Sequence, residues 1–340
     1  MEKQRLIHIL SKQKSDRPAC ICPGGMMNMI TAELMKSCGV FLPEAHKNGE
    51  MMAKLAASAY EQSCFENIGV PFCMTVEAEA LGAPVELGNE TIEPRVTAYV
   101  LDSVTEAEKL QKADFSKGRT KAVLDGISLL KERYPHVPVV GNITGPISTA
   151  TSLLEPMIFY RELRKKNEAA HAYMELITDE LCRFAAAQVE AGADVIAISD
   201  PSGTGEILGP RYFAEFAVPC LNRIVDTAKN KGAQTIVHIC GQMAAVYEQV
   251  NEVRSDALSF DSIVSMQEAR RNLPDRVLMG NVSTYTLEFG EPEKIAKLSE
   301  IAVRNGADIL APACGLGMKT PLANEQAMLA WLKEAYHANH

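Results

Sequence analysis

The chain has 340 residues, 47% hydrophobic and 23% charged, with a formal net charge of −9 at pH 7. That balance supports a sizeable globular core and excludes a disordered chain. It also argues against nucleic acid as the main partner, because no basic run with interleaved aromatics occurs.

No stretch approaches about 18 uninterrupted apolar residues, so no membrane span is expected. The opening Met1-Glu2-Lys3-Gln4-Arg5 leads into an amphipathic stretch without a signal-peptide core. Nine cysteines, an odd number scattered through a large chain, fit reduced thiols in a cytoplasmic protein better than a disulfide framework.

Residues 2–14 read as a first helix with Leu6, Ile9 and Leu10 on its apolar face. Ala19-Cys20-Ile21-Cys22 is a short β run stopped by Pro23-Gly24-Gly25. Cys20 and Cys22 share one side of that run, but no His or Cys is placed to complete a metal site with them. Residues 49–68 have a helical pattern, and Val70 to Val76 reads as a second buried strand. If the chain stays extended beyond it, Glu77 and Glu79 share a face, either approaching a site or steadying the next segment. Residues 83–100 alternate and break at Gly88-Asn89, which suggests a hairpin within an excursion over the strand ends, 78–117. Helices are expected over 104–112 and 117–133, and a third strand over 137–142.

From there the rhythm is regular. A helix over 171–190 precedes the fourth strand, 195–200, and a helix over 211–230 precedes the fifth, Thr235 to Cys240. After a helix at 243–251 come strands at 257–261 and 276–281. A helix over 292–304 leads to the eighth strand, 309–312, and a helix over 322–337 closes the chain. Gly192-Ala193-Asp194 and Gly306-Ala307-Asp308 are the same helix-stop-into-strand signal in two repeats. Eight apolar runs separated by helices predict one (β/α)8 TIM barrel domain over 1–340, with N-terminal helices within 1–68. A doubly wound open sheet is the alternative, but Gly203, Gly205 and Gly209 do not form a dinucleotide fingerprint.

The chemistry centres on Val237-His238-Ile239-Cys240-Gly241. On a strand His238 and Cys240 project to one side and Ile239 to the other, so one imidazole and one thiol can hold two corners of a metal. Cys314, just beyond the eighth strand, is placed to supply a third. One His and two Cys with an open fourth position is a catalytic zinc pattern. In a barrel the active site lies at the C-terminal ends of the strands, where Asn142, Asp200, Asp261 and Asn281 also fall. Asp200 and Asp261 equally fit helix caps, and either Asn fits a turn. The histidines at 8, 46, 136, 171, 337 and 340 have no metal spacing and read as structural or solvated. Two thiolates and one imidazole nearly neutralise Zn²⁺. Such a centre suits binding a substrate thiolate more than making hydroxide, and alkyl transfer to sulfur is the chemistry it favours over hydrolysis.

Ile198-Ser199-Asp200-Pro201, His238-Ile239-Cys240-Gly241, Gly280-Asn281-Val282-Ser283 and Leu310 to Gly315 resemble the methylcobamide:coenzyme M methyltransferases of the uroporphyrinogen decarboxylase superfamily. Pro43-Glu44-Ala45-His46, Met52-Ala53-Lys54-Leu55 and Pro321-Leu322 do so too, and the likeness spans almost the whole chain. The resemblance implies a (β/α)8 barrel of that type with zinc on His238, Cys240 and Cys314. It implies that a small thiol such as coenzyme M takes a methyl group from a methylcorrinoid carried by a small corrinoid protein. Asp200 is then expected in catalysis, and Asn142, Asn281 and Glu79 at the corrinoid. The alternatives are transfer from a methylated small molecule onto a corrinoid protein, an acceptor such as tetrahydrofolate, and a corrinoid-binding accessory protein without turnover. Decarboxylation fits poorly, because Ile21 to Asn28 is uncharged where that activity needs arginines.

Overall fold

The structure, a computed structural model, describes residues 2–337 and the side chains of 2–336, so His340 and the His337 ring lie outside the described residues. Eight parallel strands form a curled sheet surrounded by helices: β1 Ala19–Cys20, β2 Ile68–Val70, β3 Val139–Thr144, β4 Val195–Ser199, β5 Gln234–Ile239, β6 Ala257–Phe260, β7 Val277–Val282 and β8 Ile309–Pro312. Hydrogen bonding runs in the order β1-β8-β7-β6-β5-β4-β3-β2. This is the (β/α)8 barrel expected from the eight apolar runs. The strands are buried nearly throughout, as sheets covered on both faces must be.

β1 and β2 are not joined as a regular ladder. Side chains close the seam instead. The buried Asn67 amide accepts from Cys22 N at 2.9 Å and donates to Cys22 O at 2.8 Å, standing in for a peptide group. Glu66 N donates to Cys20 O at 2.8 Å, and the Glu66 carboxylate accepts from Cys20 N at 2.9 Å. Arg17 and Arg5 then neutralise that carboxylate at 2.6 and 2.7 Å. Arg5 comes from the first helix, Glu2–Leu10, which ends before the 2–14 expected from its pattern. Gly69 is required here: a Cβ would lie 1.8 Å from the Pro23 carbonyl oxygen.

The repeated Gly-Ala-Asp has a physical meaning. Asp194 Oδ2 accepts from Val139 N at 3.1 Å, and Asp308 Oδ2 accepts from Leu278 N at 2.9 Å. Each aspartate thus caps an amide at the start of the neighbouring strand, the first residue of β3 and the second of β7. Asp256 does the same for Thr235 N at 2.8 Å without the preceding Gly-Ala.

The second strand departs from expectation. It ends at Val70, because Pro71 offers no amide hydrogen to a ladder, and the chain then loops into a short helix, Val76–Ala80. Glu77 and Glu79 therefore lie on a helical turn and part company. The expected hairpin pairs Val85–Glu86 with Arg95–Val96 in antiparallel fashion. Among the histidines, His46 is buried against Phe72 with ring centroids 6.2 Å apart, and His171 pairs with Glu215 at 3.1 Å. Among the described residues, no helix is long and apolar enough to cross a membrane.

The closing helix, Leu322–His337, is tied to the N-terminal region by Glu325, which accepts from Thr31 Oγ1 at 2.7 Å. Burial pushes this carboxyl up from 4.5 to about 8. Its contribution to stability is therefore whole below pH 4.5 and is lost as pH rises towards 8, because the unfolded chain releases the proton first. Glu325→Gln should flatten that decline. The stability gap between variant and wild type, read from urea midpoints, is expected to shift in the variant's favour by up to about 1.4 kcal/mol per pH unit across this window. Parallel pH profiles would remove Glu325 as the cause.

Candidate functional site

Parallel register sets Ser199 beside His238 and His238 beside Ser259 at the C-terminal ends of β4, β5 and β6. His238 is 2% exposed, and Ile239 is buried on the other side of the pleat. Gly241 then turns the chain at φ +81°, so Cys240 stands at the rim above His238. Cys314 follows β8 and approaches from across the mouth. The ligand atoms of His238, Cys240 and Cys314 all lie within 4.8 Å of one another.

The imidazole is held in one orientation. The Ser259 hydroxyl lies 3.9 Å from Met27 Sδ, to which it donates, and it accepts from His238 Nδ1 at 2.9 Å. Nε2 then faces the sulfurs, 3.3 Å from Cys240 Sγ. This is the outer-sphere support that metal-ligating histidines commonly have. Cys314 is the acidic thiol of the pair: a hydrogen bond from Cys240, reinforced by His238, brings it down to about 5. Cys240 is pushed strongly upward by that neighbouring sulfur, by burial, and by Asp261 and Asp200. Tetrahedral zinc with bonds of about 2.0–2.3 Å needs ligand edges a little under 4 Å, so the three donors fit a metal of that kind after a small contraction.

The remaining expected residues divide clearly. Asp200 is 1% exposed, and its oxygens accept from Ile147 N at 3.1 Å, Ser148 N at 2.8 Å and Ser148 Oγ at 2.7 Å. It therefore pins the first turn of the helix Pro146–Leu153, one repeat back from the helix that follows it in sequence, while its charge still reaches Cys240. Asn142 donates to Pro23 O at 2.9 Å and Val70 O at 3.0 Å. Asn281 donates to Asp261 O at 2.9 Å and Val264 O at 2.8 Å. Both asparagines, expected at the corrinoid, spend their amide hydrogens holding loops at the strand ends.

Glu79 is not brought to the cluster. It pairs with Arg119 at 2.6 Å and lines a separate cleft of about 720 Å³ with Lys47 and Lys121. Glu77 turns inward and accepts from Thr144 N and Oγ1, both at 2.8 Å.

The cavity beside Cys314 measures about 390 Å³ and is lined by Met26, Phe72, Thr75, Glu93 and Ser152 among others. Glu93 comes from the hairpin loop, which thus overhangs the strand ends. Desolvation and the adjacent Cys314 hold its carboxyl above the usual range. Sequence reasoning missed Ser259, Glu93 and Arg119. Ser259 was within reach, because a residue opposite His238 in a parallel register had to face the same side. Glu93 and Arg119 carry no spacing signal.

The chain belongs to the uroporphyrinogen decarboxylase family, which matches residues 1–335. Within it, the chain is 33% identical over 340 residues to a methylcobamide:CoM methyltransferase of Methanosarcina barkeri, covering 98% of each chain. A methylcobamide:CoM methyltransferase of Methanosarcina acetivorans is 32% identical over 333 residues, with 97% of each covered. A solved methyltransferase from Methanosarcina mazei superposes with a TM-score of 0.91 at 31% identity, covering 98% of this chain and 99% of that one. These relatives define the chain's class as a methyltransferase enzyme.

Ser259→Ala should leave the barrel intact and free the imidazole to rotate. Divalent-metal affinity, measured by competition with a chelator, is expected to fall about tenfold, with Ser259→Thr restoring most of it. Unchanged affinity would make Ser259 a packing residue only.

Proposed function

We propose that this chain is a zinc-dependent methyltransferase that moves a methyl group from a methylated corrinoid to a small thiol. The observation that carries the reading is the convergence of His238, Cys240 and Cys314 beside an open cavity at the strand ends. Coenzyme M is the acceptor named for the relatives and the first to try. The methylcorrinoid is presented at the mouth by a small corrinoid protein. The whole chain acts as one barrel domain, with 78–117 as its cover. The nine free cysteines suit a reducing cytoplasm.

His238 Nε2, Cys240 Sγ and Cys314 Sγ would hold the zinc, and Ser259 would keep the imidazole oriented towards it. When bound, the metal lowers the pKa of an incoming thiol while leaving its sulfur electron-rich. The thiol proton leaves to solvent. The sulfur lone pair then forms the new S–C bond as the Co–C bond breaks, and that bonding pair stays on cobalt. Asp200 serves as a positioning residue. It holds the helix Pro146–Leu153, which carries Ser152 into the cavity wall, and its negative charge faces Cys240. Asn142 and Asn281 fix the loops against which the corrinoid docks.

The purified protein should contain about one zinc per chain and should bleach the methylcobalamin absorbance when a thiol is added. His238→Ala and Cys240→Ser are each expected to lose zinc and to lower kcat/KM about a thousandfold, the scale of a lost Lewis acid. Full zinc retention with full methyl transfer in either variant would sink the assignment.

A further inference from the structure

The cavity beside Cys314 has a buried positive charge behind its wall. The run Phe72 to Thr75 forms that part of the wall, and all four residues line the cavity. Two of them are tied to Arg119: Nη1 donates to Cys73 Sγ at 3.2 Å and Nη2 to Thr75 Oγ1 at 2.9 Å. Nε is spent on Glu79 at 2.6 Å. The two ends of that ion pair differ in exposure, 4% for the Arg119 side chain and 35% for that of Glu79. Solvent therefore screens the carboxylate more than the guanidinium, and the cavity feels a net positive field. Glu93, the one carboxylate among the described lining residues, is an exposed hairpin residue at the rim and is screened as well. The same run offers donors. Among the described residues, no main-chain carbonyl accepts from the amides of Cys73, Met74 or Thr75. Thr75 Oγ1 accepts from Arg119 and so keeps its own hydrogen to donate, with Cys73 Sγ 3.5 Å away. Cys73 and Thr75 are both buried, so donors there cost free energy unless something in the cavity accepts from them.

We propose that this wall is the tail subsite for the thiol acceptor, with Thr75 contacting an anionic tail and Arg119 acting through it as the positioning residue that makes the subsite select for an anion. The assignment rests on the methyl-transfer reading above and adds the residues that choose its acceptor. A thiol whose sulfur sits near Cys314 has this wall within the same cavity of about 390 Å³. Sulfonate or carboxylate oxygens only accept hydrogen bonds, so they match hydroxyl and amide donors backed by a fixed cation. An alcohol tail loses the charge interaction, and an ammonium tail opposes it. Arg119 needs no movement for this role. Forked onto Cys73 and Thr75, it is held in place before the acceptor arrives, so little freedom is lost on binding.

Coenzyme M, which is 2-mercaptoethanesulfonate, is compared with 2-mercaptoethanol and 2-aminoethanethiol on the zinc-loaded protein. Rates with methylcobalamin are referred to thiolate concentration, and binding of each thiol is followed by calorimetry. The sulfonate is expected to exceed the alcohol by at least about tenfold in affinity and in kcat/KM, with the amine last. Arg119→Gln and Thr75→Val should each bring the sulfonate-to-alcohol ratio towards unity, through KM and not kcat. Glu79→Gln should widen it, because the counter-charge goes while the fork onto Cys73 and Thr75 stays; a purely structural Arg119 predicts no widening. A wild-type protein indifferent to the sulfonate overturns the proposal. So does a ratio unmoved by Arg119→Gln or Thr75→Val, or not widened by Glu79→Gln. If Arg119→Gln does not fold, the other two variants decide. If no thiol takes the methyl group, the methyl-transfer reading fails by itself, and the ratio of binding affinities still tests the subsite.

Discussion

The closure of the sheet between β1 and β2 is the constraint on which the site depends. Eight strands make a barrel only when both edges of the sheet are satisfied, and here the edge strands are two and three residues long. Asn67 replaces the missing ladder by pairing its side-chain amide with both backbone groups of Cys22. Gly69 lets the Pro23 carbonyl come closer than any side chain would allow. At the end away from the mouth, Glu66 takes Cys20 N and two arginines into one buried cluster, so the charge is both paired and hydrogen-bonded. With the seam held, β8 is fixed on its far side by β1, and Cys314 is delivered towards β5.

The second constraint is register. Because β5 and β6 run parallel with His238 beside Ser259, the serine is aligned with the imidazole by backbone pairing alone. Its hydroxyl, bonded to Nδ1, orients the ring so that Nε2 faces the Cys240 sulfur. Asp200 belongs to the same logic. Its backbone amide is spent on His238 O at 3.0 Å, and its side chain anchors the helix that borders the cavity. One residue therefore couples β4, β5 and the cavity wall. Truncating it would disturb the cluster without removing a ligand.

The fold was largely legible because its signals are local. Apolar runs at regular spacing, separated by helical periodicity, and Gly-Ala-Asp before two strands all report on single β/α repeats. Where a signal depended on what the chain met later, the reading weakened. The stretch from Val70 to Val76 is apolar enough for a strand, yet Pro71 ends the pairing and residues 76–80 close into a helix. That change of period separates Glu77 from Glu79, and it sends Glu79 to Arg119. The His238–Cys240 pair was readable from the two-residue period, and Cys314 from its place after the last strand. The partners of Asp200 were not readable, since Ser148 sits about fifty residues earlier and only the barrel brings it near. Glu93 is a hairpin-loop residue whose relevance comes entirely from where that loop folds over.

The mouth is held together by partners that suit anions. Glu77 and Asp200 are buried carboxylates, both raised by desolvation and both moderated by backbone amides and hydroxyls. Cys314 is an acidic thiol whose negative charge is stabilised first by a proton on Cys240 and second by the imidazole. That proton is the one replaceable part of the arrangement. A divalent cation in its place would leave both sulfurs anionic, satisfy Nε2 and offset the field of Asp200 and Asp261 on Cys240 in one step.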